Sequence, residues 1–346
     1  MTALQPPPAS GIQTDVPIAR YRFTARMRQS VRLPDYAGSL LRGQFGAALR
    51  HLSCMTRQPT CAACPLLRTC PYSRIFEAPP PTQHRLQNFS AIPNAYVIEP
   101  PLPPKGLLHP APEPGQRHCA DLEPGDELVF HMVLAGAALE QLALVLFAWQ
   151  RALAQGLTKS RSAADLLQID WVDADGAAHC IWQQHKPVLA DLRSGLTVPA
   201  WPPSTAAGAA PAALKLHLHT PLRLQQQGHP LGPEQLDPRV LLAALARRVA
   251  LVLEFHAQQP QWGAGVAEVV SLAPQLSDAR QLRWFDWKRY SSRQQQEMTL
   301  GGVLGAWQLH GPPEALAAAW PWLWLGQWLH VGKNATMGMG AYTLVH

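Results

Sequence analysis

Four cysteines, Cys54, Cys61, Cys64 and Cys70, fall within seventeen residues at the spacing C-x6-C-x2-C-x5-C. A C-x2-C pair is the usual knuckle of a tetrahedral thiolate site, and four sulfurs without a histidine suit a closed structural zinc ion. An iron–sulfur cluster and plain buried thiols stay open on spacing alone. Four protein ligands leave the metal no open position, so its expected work is to brace a loop too small for its own core. Cys119 and Cys180 stand alone and read as ordinary thiols.

A second group lies near the end of the chain. Gly332, Lys333, Asn334, Gly338 and Gly340 sit between an apolar helix and a short closing strand. Glycines let the backbone approach a partner closely and turn N–H groups outward, and beside Lys333 the natural partner is a phosphate. A P-loop follows a strand and ends in Gly-Lys-Ser/Thr, whereas here a helix comes first and Asn334 replaces the hydroxyl. A dinucleotide fingerprint also has the reverse order of elements. A plain helix-to-strand loop fits the glycine count equally well.

Basic residues form the third group. Residues 1–77 hold ten arginines, no lysine and three acids, a local charge of +7, within a chain whose net charge is +6. The remainder is therefore at −1, and the asymmetry points to a polyanionic partner for the N-terminal part. A strand is expected over residues 19–33, with Tyr21, Phe23, Ala25 and Met27 on one face and Arg20, Arg22, Arg26, Arg28 and Arg32 on the other. Five arginines without an acid would repel one another unless an anion lies across them. A merely solvated strand face is the plainer alternative. On the helix expected over 36–52, Arg42, Gly46 and Arg50 share a side, and Gly46 leaves room for a partner. Lys159 and Arg161 occupy a loop at 156–161. Lys288, Arg289 and Arg293 interleave with Trp284, Phe285, Trp287 and Tyr290, a pattern that suits either base stacking with phosphate contacts or core aromatics with surface charges.

These residues need a scaffold. Apolar residues make up 47% and charged residues 15%, which with 346 residues allows two domains with their own cores. Prolines concentrate in a few stretches and mark connections. The expected layout is a disordered tail at 1–17, a first domain at 18–186 with the cysteine insertion at 53–77, a linker at 187–212, and a second domain at 213–346. Each domain reads strand, helix, strand, strand, helix, strand, and the helix–loop–strand at 137–172 repeats the order at the C-terminus. That order is an α+β, split βαβ or ferredoxin-like unit, whose free sheet face serves RNA in recognition modules. Segment 257–281 is expected to be a loop. The opening residues lack an apolar core for a secretory signal, and polar residues interrupt the longest apolar runs, so a cytoplasmic protein with reduced cysteines is expected.

Four landmarks carry a family resemblance. They are Leu41-Arg42-Gly43-Gln44-Phe45-Gly46; the cysteine set running into Cys70-Pro71-Tyr72 and Ile75-Phe76-Glu77; Arg289-Tyr290-Ser291 with Gly301-Gly302; and His330-Val331-Gly332-Lys333 through Gly338-Met339-Gly340. With them the sequence resembles the CRISPR-associated endoribonucleases of the RAMP superfamily, which cut repeat RNA into mature guide RNA. The resemblance implies two tandem ferredoxin-like domains, recognition of a repeat stem-loop, cleavage at its 3′ base, and retention of the hairpin within a surveillance complex with other subunits.

The implied chemistry needs no metal. A base takes the 2′-hydroxyl proton, that oxygen attacks the adjacent phosphorus, an acid protonates the departing 5′-oxygen, and cations stabilise the phosphorane. The ends left are a 2′,3′-cyclic phosphate and a 5′-hydroxyl. Such enzymes often place a histidine on or after the first helix, which makes His51 the expected base or acid, with Arg42, Tyr36, Arg50 and Lys333 in reserve. Lys333 and the loop glycines are assigned to phosphates near the scissile bond. Two rivals stand beside this reading: a non-cleaving RNA-hairpin-binding subunit, and a zinc-braced DNA-binding protein.

Overall fold

The computed structural model describes residues 14–82, 92–103, 107, 121–190, 195–201, 211–291 and 296–345. Two antiparallel sheets organise them. The first contains β1 (Ile18–Met27), β2 (Tyr96–Glu99), β3 (Glu127–Ala135), β4 (Ala164–Val172) and β5 (Ala178–Gln183), in the spatial order β2-β3-β1-β4-β5. The second contains β6 (Ala213–Leu222), β7 (Ser277–Ser291), β8 (Gln296–His310) and β9 (Tyr342–Val345), in the order β7-β8-β6-β9. Apart from the extra edge strand β5, both sheets run second, third, first, fourth. In each, two helices follow the first strand and one follows the third.

Alternating apolar residues on β1 place Tyr21, Phe23, Ala25 and Met27 in the first core. Helix α1 (Gly38–Ser53) lays Leu41, Phe45, Ala48 and Leu49 against them, a stripe at the helical period. The short helix α2 (Pro71–Phe76) and α3 (Leu142–Gln155) complete that layer, with Phe45 stacked on Trp149 at 5.1 Å between ring centroids. In the second half, α4 (Pro238–Ala257) starts where Asp237 accepts a bond from the Val240 N–H at 2.7 Å. Helix α6 (Pro313–Leu329) is apolar almost all round and is accordingly buried, with Leu316, Leu323 and Leu325 fully enclosed.

Three expectations need correction. The expected strand over 19–33 ends at Met27, because the Gly125 and Asp126 turn closes the ladder there: Gly125 N–H donates to the Met27 carbonyl at 2.8 Å. Val31–Arg32 then pairs separately with Asp121–Leu122. The expected loop at 257–281 contains α5 (Gln261–Leu272), which buries Trp262 and Val269, and β7 already begins at Ser277. The tail and the linker are tied together, since Thr14–Val16 pairs antiparallel with Leu196–Val198. This packing uses Val16, Leu196 and Val198, apolar residues too few to give a periodic signal alone.

Two glycines three residues apart in α1 should respond oppositely to alanine. A Cβ on Gly46 would lie 2.2 Å from the Phe76 ring, so the room expected for an outside partner is filled by the chain's own aromatic residue. A Cβ on Gly43 would meet nothing within 4 Å. Gly46→Ala is expected to destabilise by roughly 1–3 kcal/mol through overpacking. Gly43→Ala should stabilise by up to about 1 kcal/mol through helix propensity. Urea unfolding of both variants checks the pair.

Candidate nucleic-acid interface at the domain seam

The glycine-rich loop after α6 does its packing between the two halves. Gly338, at φ +86°, presses on β2: a Cβ there would stand 2.6 Å from the Ile98 carbonyl oxygen. The Tyr36 hydroxyl donates to the Met337 carbonyl at 2.9 Å, and the Tyr36 ring tilts against Trp287 at 4.7 Å. Met339 is fully buried with them. The Gly340 and Lys333 N–H groups donate to the Pro221 and Arg223 carbonyls at 3.1 and 2.9 Å. Thr220 donates to the Gly338 carbonyl at 2.6 Å and accepts from the Ala341 N–H at 2.8 Å.

A charged knot closes the same seam. The Glu99 carboxylate accepts two bonds from Arg20, at 2.8 and 2.6 Å, and one from His330 Nε2 at 3.0 Å. His330 Nδ1 faces the Met339 carbonyl at 3.2 Å. Both ring nitrogens therefore face acceptors. His330 also holds a positive φ of 58°, a strained backbone that its two side-chain bonds fix in place. Burial alone would raise the Glu99 pKa; the Arg20 charge and the His330 bond overcome it and hold the carboxyl well below its usual range.

Beside the seam lies a cleft of about 1710 Å³. Its walls are the first turns of α1, the two helix-to-strand loops (Thr158 and Lys159 in one half, Gly332 to Thr336 in the other), Arg248 from α4, and Trp287 and Thr299 from the β7–β8 hairpin. Arg32, Arg42, Lys159, Arg248 and Lys333 line it against Asp35 and Asp286, an excess of cations. Arg42 is held over the Phe76 ring at 4.4 Å and donates to the Tyr96 hydroxyl at 3.1 Å. Arg248 donates from Nε to the Leu329 carbonyl at 2.7 Å, while its enclosed Nη2 has no hydrogen-bond partner among the described residues. Burial lowers its pKa to about 10, so it stays charged near neutrality. Arg248 thus brings a charged guanidinium to the cleft wall, where a bound anion would offset its charge. Arg248 carried no motif in the sequence, because an arginine inside an amphipathic helix looks like any solvated one.

The expected site residues divide. Arg42, Tyr36, Lys159, Gly332, Lys333 and Asn334 meet at this cleft. Tyr36 serves as a strut rather than a base: burial raises its pKa well above the usual phenol value, and its hydroxyl is bonded to Met337. Gly338 is buried against the first half and Gly340 against Val331 of its own half, which corrects the expectation that they face a phosphate. His51 is exposed on α1, one turn beyond Ala47, and does not line the cleft. Arg50 turns the other way and donates to the Gln58 and Pro59 carbonyls at 2.5 and 2.9 Å. Arg161 is exposed outside the cleft. Lys288 and Arg289 lie on β7, and Arg293 lies outside the described residues, as does Cys119.

The arginine face needs the largest correction. Arg20 pairs with Glu99, Arg22 with Asp170 at 3.0 Å, Arg28 with Asp165 at 2.5 Å, Arg32 with Asp121 at 3.6 Å, and Arg26 reaches Glu127 at 3.9 Å. Every arginine on that face is opposed by a carboxylate, so mutual repulsion does not demand a polyanion there. The acids stand as many as 148 residues away in sequence, which hid them from a local count.

Two family models match the chain. Residues 16–194 match one described as an N-terminal domain, and residues 216–342 match the CRISPR-associated endoribonuclease Cas6. Among solved structures, a Cas6 (TTHB231) product complex is 17% identical, covering 95% of this chain and 100% of that one, with a TM-score of 0.55. Thermus thermophilus Cas6 (TTHB231) is 15% identical over 96% and 99%, with a TM-score of 0.50. A partial Cas6-RT-Cas1–Cas2 complex is 14% identical over 97% of this chain and 47% of that one, with a TM-score of 0.52. At these identities the structural likeness shows the fold. No curated protein matches the chain.

The knot at Glu99 makes stability depend on pH. Because its folded pKa is depressed, its contribution is complete above the unfolded value near 4.5 and is lost as the pH falls below it toward the folded value. Glu99→Gln should cost roughly 3–5 kcal/mol at neutral pH, since it strands a buried partner. The variant should also show a flatter stability profile than the wild type as the pH drops. Urea unfolding across acidic pH measures both.

Proposed function

We propose that the chain, whose residues 216–342 match the CRISPR-associated endoribonuclease Cas6, is a member of that family and cuts precursor guide RNA at the 3′ base of the repeat stem-loop. Both halves are read as ferredoxin-like, and the cleft between them takes the strand at the cut. The observation that carries the reading is the convergence of Arg42, Lys159, Arg248 and Lys333 on one cleft with few opposing acids.

The reaction is metal-independent transesterification. The 2′-hydroxyl loses its proton to water, its oxygen attacks the adjacent phosphorus, and the bond to the 5′-oxygen breaks. Arg248 and Lys333 hold the non-bridging oxygens, where charge grows in the transition state, and the Lys333 ammonium protonates the departing 5′-oxygen. Arg42 and Lys159 hold the flanking phosphates. The ends are a 2′,3′-cyclic phosphate and a 5′-hydroxyl. No histidine lines the cleft among its described residues, so positioning and charge carry the rate, and His51 lies outside the reacting group. The product hairpin stays bound, as suits a subunit of a CRISPR surveillance complex.

The same lack of a histidine favours one second reading, an RNA-hairpin-binding subunit that does not cut. Incubating the protein with a repeat hairpin in EDTA, followed by mass spectrometry of the RNA, separates the two. Cleavage that a 2′-deoxy substitution at the cut site abolishes is expected, and tight binding of an intact hairpin would establish the second reading. Arg248→Met should lower the single-turnover rate by about 10²–10³ with hairpin binding retained, the loss typical of removing one oxyanion donor. His51→Ala should leave the rate unchanged. Full activity in Arg248→Met would remove that residue from the mechanism. A preference for duplex DNA over the hairpin at matched salt would overturn RNA recognition altogether.

A further inference from the structure

From Cys54 to Cys70 the chain has no helix or strand and no buried residue. Met55, next to Cys54, is 84% exposed. An irregular segment of that length without a core is not expected to hold one shape by packing. Yet its four cysteines, all half-buried, line a single small cavity of about 20 Å³ together with Arg50, Thr56 and Ser73. They arrive from three directions. Cys54 caps the C-terminus of α1, Cys61 and Cys64 form a tight turn closed by a Cys64 N–H to Cys61 carbonyl bond at 3.1 Å, and Cys70 precedes α2. None is in a disulfide.

We infer that Cys54, Cys61, Cys64 and Cys70 bind one zinc ion as a closed tetrathiolate site that fastens α2 to the end of α1. Among the described residues no three such side chains stand at metal-coordinating separations, so binding must draw the sulfurs inward across the cavity. Only Cys61 and Cys70 of the set pack against the first core, and the short exposed turns between them leave room for that adjustment. A zinc tetrathiolate carries a net charge of about −2, and Arg50 on the cavity wall supplies a compensating cation while anchoring the loop through the Gln58 and Pro59 carbonyls. The Thr56 hydroxyl lies 3.4 Å from the Cys64 sulfur, placed to donate to a thiolate.

The brace reaches the cleft through α2. Phe76 at the end of that helix fills the space over Gly46, stacks on Tyr96 at 5.5 Å, and carries the Arg42 guanidinium on its face. Fixing Cys70 fixes the start of the helix that holds Arg42.

Elemental analysis of the purified full-length chain tests the inference without reference to activity. One zinc per chain is expected, released in step with modification of four thiols by a mercurial. Cobalt replacement should give the absorption of a tetrahedral thiolate site. Cys61→Ser should lose most of the zinc and lower Tm, whereas Cys180→Ser, at an exposed thiol elsewhere, should change neither. If Cys61→Ser does not fold, the wild-type zinc-to-thiol titration decides alone. Wild type that stays free of zinc after reconstitution, zinc retained in full by folded Cys61→Ser, or iron with inorganic sulfide at the site would each overturn the assignment.

Discussion

Everything in this molecule depends on how one carboxylate is held between the two halves. Glu99 ends an edge strand of the first sheet, and its oxygens are claimed by Arg20 from the same sheet and His330 from the other half. A buried charge left without such partners is costly, so the two halves can meet in only the arrangement that brings all three groups together. His330 stands where α6 ends. Fixing it therefore fixes the start of the glycine-rich loop, and the loop's second part is packed against β2 and Tyr36.

That packing changes what the loop is for. Close backbone approach is real, but at Gly338 the surface approached is the protein's own. Only the first part of the loop, Gly332 to Thr336, remains at the cleft, where Lys333 joins Arg42, Lys159 and Arg248. The corresponding loop of the first half contributes Lys159, so the internal repetition of the chain gives the cleft a cation from each half. Arg248 adds a charge whose enclosed edge has no protein partner among the described residues.

The arginine strand shows why charge patterns mislead when read along one segment. In an antiparallel sheet the neighbours of a side chain lie on adjacent strands, and here Glu127, Asp165 and Asp170 supply the opposing charges across β1. Most of these pairs are partly exposed and add little stability each. Their effect is to neutralise a face that appears strongly basic in the linear sequence.

By itself the sequence determined the apolar face of β1, most of the order of elements and the family resemblance, since periodicity and the glycine, arginine and cysteine landmarks are local features. It also placed Arg42, Lys159 and Lys333 among the residues of interest. Tertiary structure alone decided that Gly46 receives Phe76, that Tyr36 is a strut, that His51 faces away from the cleft, and that Arg248 belongs to it. Burial and pairing are properties of residues brought together from distant parts of the chain, and no count along the chain can say which acid will lie across which arginine.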